Sequence, residues 1–91
     1  MSCEWDPSKA EANFRKHRVR FSEAEPVFAG DIAVTFEDDC SDPDEQRFVS
    51  IGSGMKGRLL VVAYCYRGSR IRIISARPAE AHERSQYEES R

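Results

Sequence analysis

The apolar positions of this chain change period twice. Near the start, Ala10, Phe14 and His17 recur at spacings of four and three, which puts them on one face of a helix. Trp5-Asp6-Pro7 supplies its beginning. Asp6 can accept from the free N–H groups of the first turn, Pro7 suits the first helical position, and Trp5 can fold back onto Ala10. The spacing predicts a helix over Pro7 to His17. Ser22-Glu23-Ala24-Glu25 then matches a capping box, with Phe21 in front of it. It predicts a second short helix that reaches Phe28-Ala29, stops at Gly30 and is made irregular by Pro26.

Beyond Gly30 the period shortens to that of strands. Ile32 to Phe36, Arg47 to Ile51, Arg58 to Tyr66 and Arg70 to Ala76 read as four strands. The run from Arg58 to Tyr66 is apolar almost throughout, which predicts a central strand. Gly52-Ser53-Gly54 and Arg67-Gly68-Ser69 are short turns and favour an antiparallel meander. Pro78 to Glu89 returns to helical composition, but Ala79, Ala81 and Tyr87 make a thin apolar face, so this helix should dock weakly. The expected architecture is α+β over one domain, 1–91. It has two N-terminal helices, an antiparallel sheet of about four strands, and a C-terminal helix.

Composition adds limits. Hydrophobic residues at 40% of 91 positions suffice for a small core. The longest apolar run, Leu59 to Tyr66, falls far short of the about 20 residues of a membrane helix. The first residues carry no basic start and no apolar stretch, so no secretory signal is expected. Cys3, Cys40 and Cys65 are odd in number and widely spaced, which fits free thiols in the cytoplasm, with Cys65 in the core.

Charge changes the picture more. The formal net charge is -2, yet Asp31 to Glu45 holds seven acids and no Lys or Arg, while Gln46 to Arg77 holds seven bases and no acid. A phosphate-binding surface can therefore sit in an acidic chain. Metal chemistry has little support: the acidic stretch lacks calcium-loop spacing, His17 and His82 stand apart, and no Cys/His set has zinc spacing. No cofactor is expected. Arg70 and Arg72 alternate with Ile71 and Ile73 and so face away from the core. Strict alternation puts Arg77 on the core side, which it can avoid only at a strand end or past a bulge. An arginine there suits a phosphate. Lys16 and His17 close the first helix, where either can also serve its last carbonyls.

Read in order, several of these segments resemble the BrnT toxins of bacterial type II toxin–antitoxin operons. They are Glu4-Trp5-Asp6 with Lys9-Ala10 and Asn13, Lys16-His17-Arg18-Val19 with Phe21-Ser22-Glu23-Ala24, and Glu45-Gln46-Arg47-Phe48-Val49. Gly57-Arg58-Leu59-Leu60-Val61-Val62 and Arg70-Ile71-Arg72-Ile73-Ile74-Ser75-Ala76-Arg77 follow, before a helix with Glu83 and Tyr87. The resemblance spans nearly the whole chain. It implies a RelE-like fold and a ribonuclease that arrests growth. It also implies a BrnA-type antitoxin, held in a heterotetramer that binds operator DNA through the antitoxin. The chain departs from the pattern twice: Arg18 stands where members commonly have glycine, and Pro78 where they often have lysine.

With that resemblance, RNA is the expected substrate, cut without metal by attack of its own 2′-hydroxyl. Arg77 is expected to stabilise the charge on phosphorus and His17 to move a proton, with Arg47 and Tyr87 as further catalytic candidates. Arg72, Arg70, Lys16 and Glu45 are expected to bind or position the substrate. The alternative is a non-catalytic interaction module or a gyrase-inhibiting toxin of the same fold.

Overall fold

The computed structural model describes residues 2–28, 34–37 and 47–89. Its elements run β1 (Ser2–Glu4), α1 (Pro7–His17), α2 (Phe21–Ala24), a 3₁₀ turn (Glu25–Phe28), β2 (Val34–Glu37), β3 (Arg47–Ser53), β4 (Leu59–Arg67), β5 (Arg70–Pro78) and α3 (Ala81–Glu89). The sheet has five strands in the order β1-β5-β4-β3-β2. β2 to β5 form the expected antiparallel meander, with β4 at its centre. The expectation of about four antiparallel strands is corrected by β1, which pairs parallel with β5 and makes the sheet mixed. Three residues held by backbone bonds leave no hydrophobic period to read.

Asp6 begins α1 as expected: its carboxylate accepts from the Ser8 N–H at 2.8 Å, with Pro7 beside it. α2 corrects the capping-box reading. Its N-cap is Arg20, without a side-chain bond, so Ser22 lies inside the helix. The helix lasts four residues and passes into the 3₁₀ turn that contains Pro26, whose missing donor shortens it. Gly30, Cys40 and the acidic stretch 38–46 lie outside the described residues.

One sheet face packs under the N-terminal helices. Leu60 and Val62 of β4 and Ile73 and Ala76 of β5 meet Val19, Phe21, Ala24 and Val27. The other face carries a smaller cluster, in which Ile51 and Val61 pack on Ala79 and Tyr87 near α3. β4 is apolar on both faces because both are covered.

Polar groups lock the helices to the sheet. The buried residue of α1 is Asn13, whose amide donates to the carbonyls of Val19 (3.0 Å) and Ala76 (2.8 Å) and accepts from the Ala76 N–H (3.1 Å). Glu23 is 5% exposed and takes a two-point bond from Arg58, at 2.6 and 2.9 Å. The same guanidinium reaches the Arg18 carbonyl at 2.9 Å, which ties the β3–β4 turn to the end of α1. Arg58 holds the Glu23 carboxyl below its ordinary value of 4.5, and Arg77 does the same for Glu83. A lowered folded value stabilises the protein above the unfolded value and ceases to do so as pH falls through the folded one. The urea midpoint should therefore fall progressively below about pH 4.5. In Glu23→Gln that fall should be shallower, and an equally steep acid loss would contradict the role of this pair.

Arg18 ends α1 in the left-handed region, at φ 60° and ψ 31°, and its N–H caps Phe14 at 2.8 Å. A side chain there costs about 1 kcal/mol. Its guanidinium lies 5.7 Å from the Phe14 ring, an exposed contact worth less than that. Arg18→Gly should stabilise the chain by about 0.5–1 kcal/mol in urea titration; a loss would show that the ring contact outweighs the backbone strain.

Candidate active site

The face of Arg77 is decided by a bulge. Tyr64 pairs with Ile73 and Ala63 with Ser75, so Ile74 is an extra residue on β5. Beyond it, Ala76 returns to the buried side and Arg77 pairs with Val61. Arg72 opposes Cys65, two steps after Ala63 on β4. Arg72 and Arg77 therefore share the face that carries α3, although uniform alternation would separate them. Arg47 also opposes Cys65, from β3, and Arg67 opposes Arg70. One face thus carries all five arginines. Arg72 and Arg77 lie opposite Cys65 and Val61, four steps or about 14 Å apart along β4, so they suit different phosphates rather than one.

Arg77 sits at the α3 end of the sheet, 36% exposed, and is engaged by Glu83. Its Nη1 and Nη2 each donate to one oxygen of Glu83 at 2.7 Å, and Nη1 also reaches the Pro78 carbonyl at 3.3 Å. Glu83 is 8% exposed and accepts the Glu80 N–H at 2.9 Å, closing a capping-box bond at the start of α3. A guanidinium has two forked edges. Glu83 takes the Nη1/Nη2 edge, while Nε has no partner among the described residues. The Nε/Nη2 edge can still donate to a pair of phosphate oxygens.

His17 comes to the same end. Asn13 fastens α1 to the Ala76 backbone, and His17 lies one helical turn further on, close enough to feel the charge of Arg77. It is half-buried. Partial burial, then the charges of Lys16 and Arg77, hold its imidazolium below the ordinary value of 6.5. The shift favours the neutral imidazole, the form able to accept a proton. Lys16 is exposed beside it.

The other expected residues are placed as follows. Arg70 is exposed and Arg72 half-buried, both toward the β4–β5 turn, with Arg47 across β4. Tyr87 is half-buried and packs on the cluster of Ile51, Val61 and Ala79, an anchoring role for α3. Glu45 lies outside the described residues. The structure thus spreads Arg47, Arg70, Arg72 and Arg77 along one face and puts Lys16 and His17 at the end of α1, with His17 within the field of Arg77. Glu83 was not among the expected site residues. Its sequence signals are its place in the segment that carries the family resemblance and its position three residues after Glu80 at a helix start.

His82 does not stand apart as expected. Its Nδ1 is 3.6 Å from Glu80, and the two residues form a group with Glu83 whose ligand atoms lie within 4.8 Å of one another. Glu83 already gives its oxygens to Arg77 and to a backbone N–H, so a cation there would compete with a guanidinium. A separate recess of about 370 Å³, lined by Trp5, Ala10, Phe14, Arg20 and Phe21 among others, lies away from these groups. No described helix is long and apolar enough to cross a membrane.

This fold, a mixed sheet with helices on both faces, is similar to a solved toxin ribonuclease. The match is to the ribonuclease toxin BrnT of Brucella abortus, at 26% identity and a TM-score of 0.67, over 88% of this chain and 97% of that one. No curated protein sequence matches the chain. The model of the family described as ribonuclease toxin, BrnT, of type II toxin–antitoxin system matches residues 5–83. The chain belongs to that family. Membership implies an antitoxin partner.

Proposed function

We propose that this chain is an endoribonuclease that cuts single-stranded RNA by metal-independent transesterification at the Arg77 end of the sheet. The observation that carries this reading is the open Nε/Nη2 edge of Arg77, whose charge reaches the half-buried His17. The chemistry needs little more. The 2′-hydroxyl of RNA attacks the adjacent phosphorus and expels the 5′-oxygen, leaving a 2′,3′-cyclic phosphate. His17 accepts the 2′-hydroxyl proton, and Arg77 donates to the oxygens on which charge develops. Lys16 is placed to add positive charge. Arg72, Arg70 and Arg47 would hold neighbouring phosphates along the face, which sets the direction of the strand. Tyr87 and Glu45 are further candidates for substrate positioning or the second proton.

On this reading growth arrest follows from RNA cleavage in the cytoplasm. An antitoxin of BrnA type, in a heterotetramer, would cover the arginine face with acidic side chains and carry the contacts to operator DNA. The RelE-like description of the architecture belongs to the same reading.

The competing reading is an interaction module without chemistry, and the Arg77–Glu83 pair favours it. A guanidinium neutralised by a carboxylate can serve as a brace alone. The titration of His17 tests the proposed site. Arg77→Ala removes a positive charge near the imidazole, so NMR should follow His17 to a higher midpoint. In the wild type, cleavage should rise with pH through the lowered His17 value and level off near neutrality. An unmoved midpoint would place Arg77 too far away to share a reaction with His17.

A further inference from the structure

Arg77 ends in a long flexible stem, yet its guanidinium is fixed at two points. Both end nitrogens bind one carboxylate at 2.7 Å, and that carboxylate is itself fixed by the Glu80 N–H at the start of α3. Glu83 is buried at 8% exposure, so its orientation is set by the helix rather than by solvent. The apolar anchorage of α3 is small, consisting of Ala79 and Tyr87 against Ile51 and Val61. The pair is therefore also what fixes the helix start against β5.

We infer that Glu83 is a positioning residue for the RNA-cleaving reaction: it grips Arg77 by its end edge and so presents the Nε/Nη2 edge to the scissile phosphate. This rests on the proposed function. A guanidinium balanced by a carboxylate attracts a ground-state phosphate weakly, because the pair carries no net charge. Its hydrogen-bond direction is kept, and the bonds strengthen as charge grows on the phosphate oxygens. Glu83 thus serves the transition state more than substrate affinity. Removing it frees a net positive charge while loosening the geometry, so kcat and KM should move in a way that a brace does not produce.

The test uses the purified full chain and a labelled single-stranded RNA oligonucleotide. Glu83→Gln keeps an acceptor for the Glu80 N–H, so the helix cap survives, but it loses the ion pair. Its kcat should fall about tenfold or more while KM stays level or drops. In Arg77→Ala, millimolar guanidinium should restore part of the lost cleavage by binding Glu83, and should fail to do so in the Arg77→Ala, Glu83→Gln double variant. Unchanged kcat with raised KM in Glu83→Gln, or equal rescue with and without Glu83, would overturn the inference. Should Glu83→Gln fail to fold, Arg77→Lys carries the test. Its ammonium can pair with Glu83 and keep the melting temperature, but it has no second forked edge, so kcat should collapse; wild-type kcat in that variant would overturn the inference. Full activity in Arg77→Ala would remove the proposed function itself, whereas lost activity without Glu83-dependent rescue removes only the role of Glu83.

Discussion

Arg77→Ala is expected to lower the rate of RNA cleavage by about 10²–10³-fold. The size follows from where the charge develops. In-line attack adds negative charge to phosphate oxygens at a half-buried site, where a preoriented donor is worth more than in water. The side edge of Arg77 offers two such donors, and Glu83 limits how far they can turn. The substitution also leaves the Glu83 carboxylate, 8% exposed, without its partner, so some loss of stability must accompany it. Circular dichroism of the same preparation separates the two effects. A variant that is folded at the assay temperature and still cleaves within threefold of wild type would contradict the assignment.

The second large effect is structural. Asn13→Ala should cost about 3–4 kcal/mol and lower the melting temperature by about 15 °C or more. Asn13 makes three bonds in a buried site: two to the carbonyls of Val19 and Ala76, and one from the Ala76 N–H. Alanine cannot replace any of them, and each group left without a partner costs about 1–3 kcal/mol. A small domain has about 5–15 kcal/mol in all, so this loss takes a large share. The same residue sets the approach of α1 to β5 and thus the place of His17. Urea unfolding measures the effect; a loss below about 1 kcal/mol would show that water takes over those groups at no great cost.

How much of this could be read in the sequence depends on the kind of signal. α1 could be read because Asp6-Pro7 and the spacing of Ala10 and Phe14 are local. β3, β4 and β5 were legible because alternation, the apolar run and the Gly68 turn are local too, although Gly52 and Ser53, read as a turn, pair with β4 inside the ladder. The bulge at Ile74 was not, since Ile-Ile-Ser carries no glycine and nothing in it marks an extra residue. It surfaced only as a conflict: an arginine on the core side of a strand. β1 escaped because a strand of three residues is too short to show a hydrophobic period. Ser22 misled because its pattern fits a cap, while Arg20 already holds the extended backbone of that position.

The candidate site divides along the same line. Arg77 and His17 were candidates through the family resemblance, and the Asn13 bonds are what hold α1, and His17 with it, onto β5. Glu83 was legible as a helix-start acid but not as the partner of Arg77, because six residues and a change of element separate them. Arg72 and Arg77 were expected to clash in orientation. The bulge puts them on one face, about 14 Å apart along β4.

The most direct measurement of the central claim is the chemistry of the cut ends. Single-stranded RNA is incubated with the purified chain in EDTA, and the products are resolved by mass spectrometry. Transesterification predicts fragments ending in 2′,3′-cyclic phosphate with new 5′-hydroxyl ends, formed at full rate in the chelator. Fragments with 5′-phosphate and 3′-hydroxyl ends, or cleavage abolished by EDTA, would contradict the account.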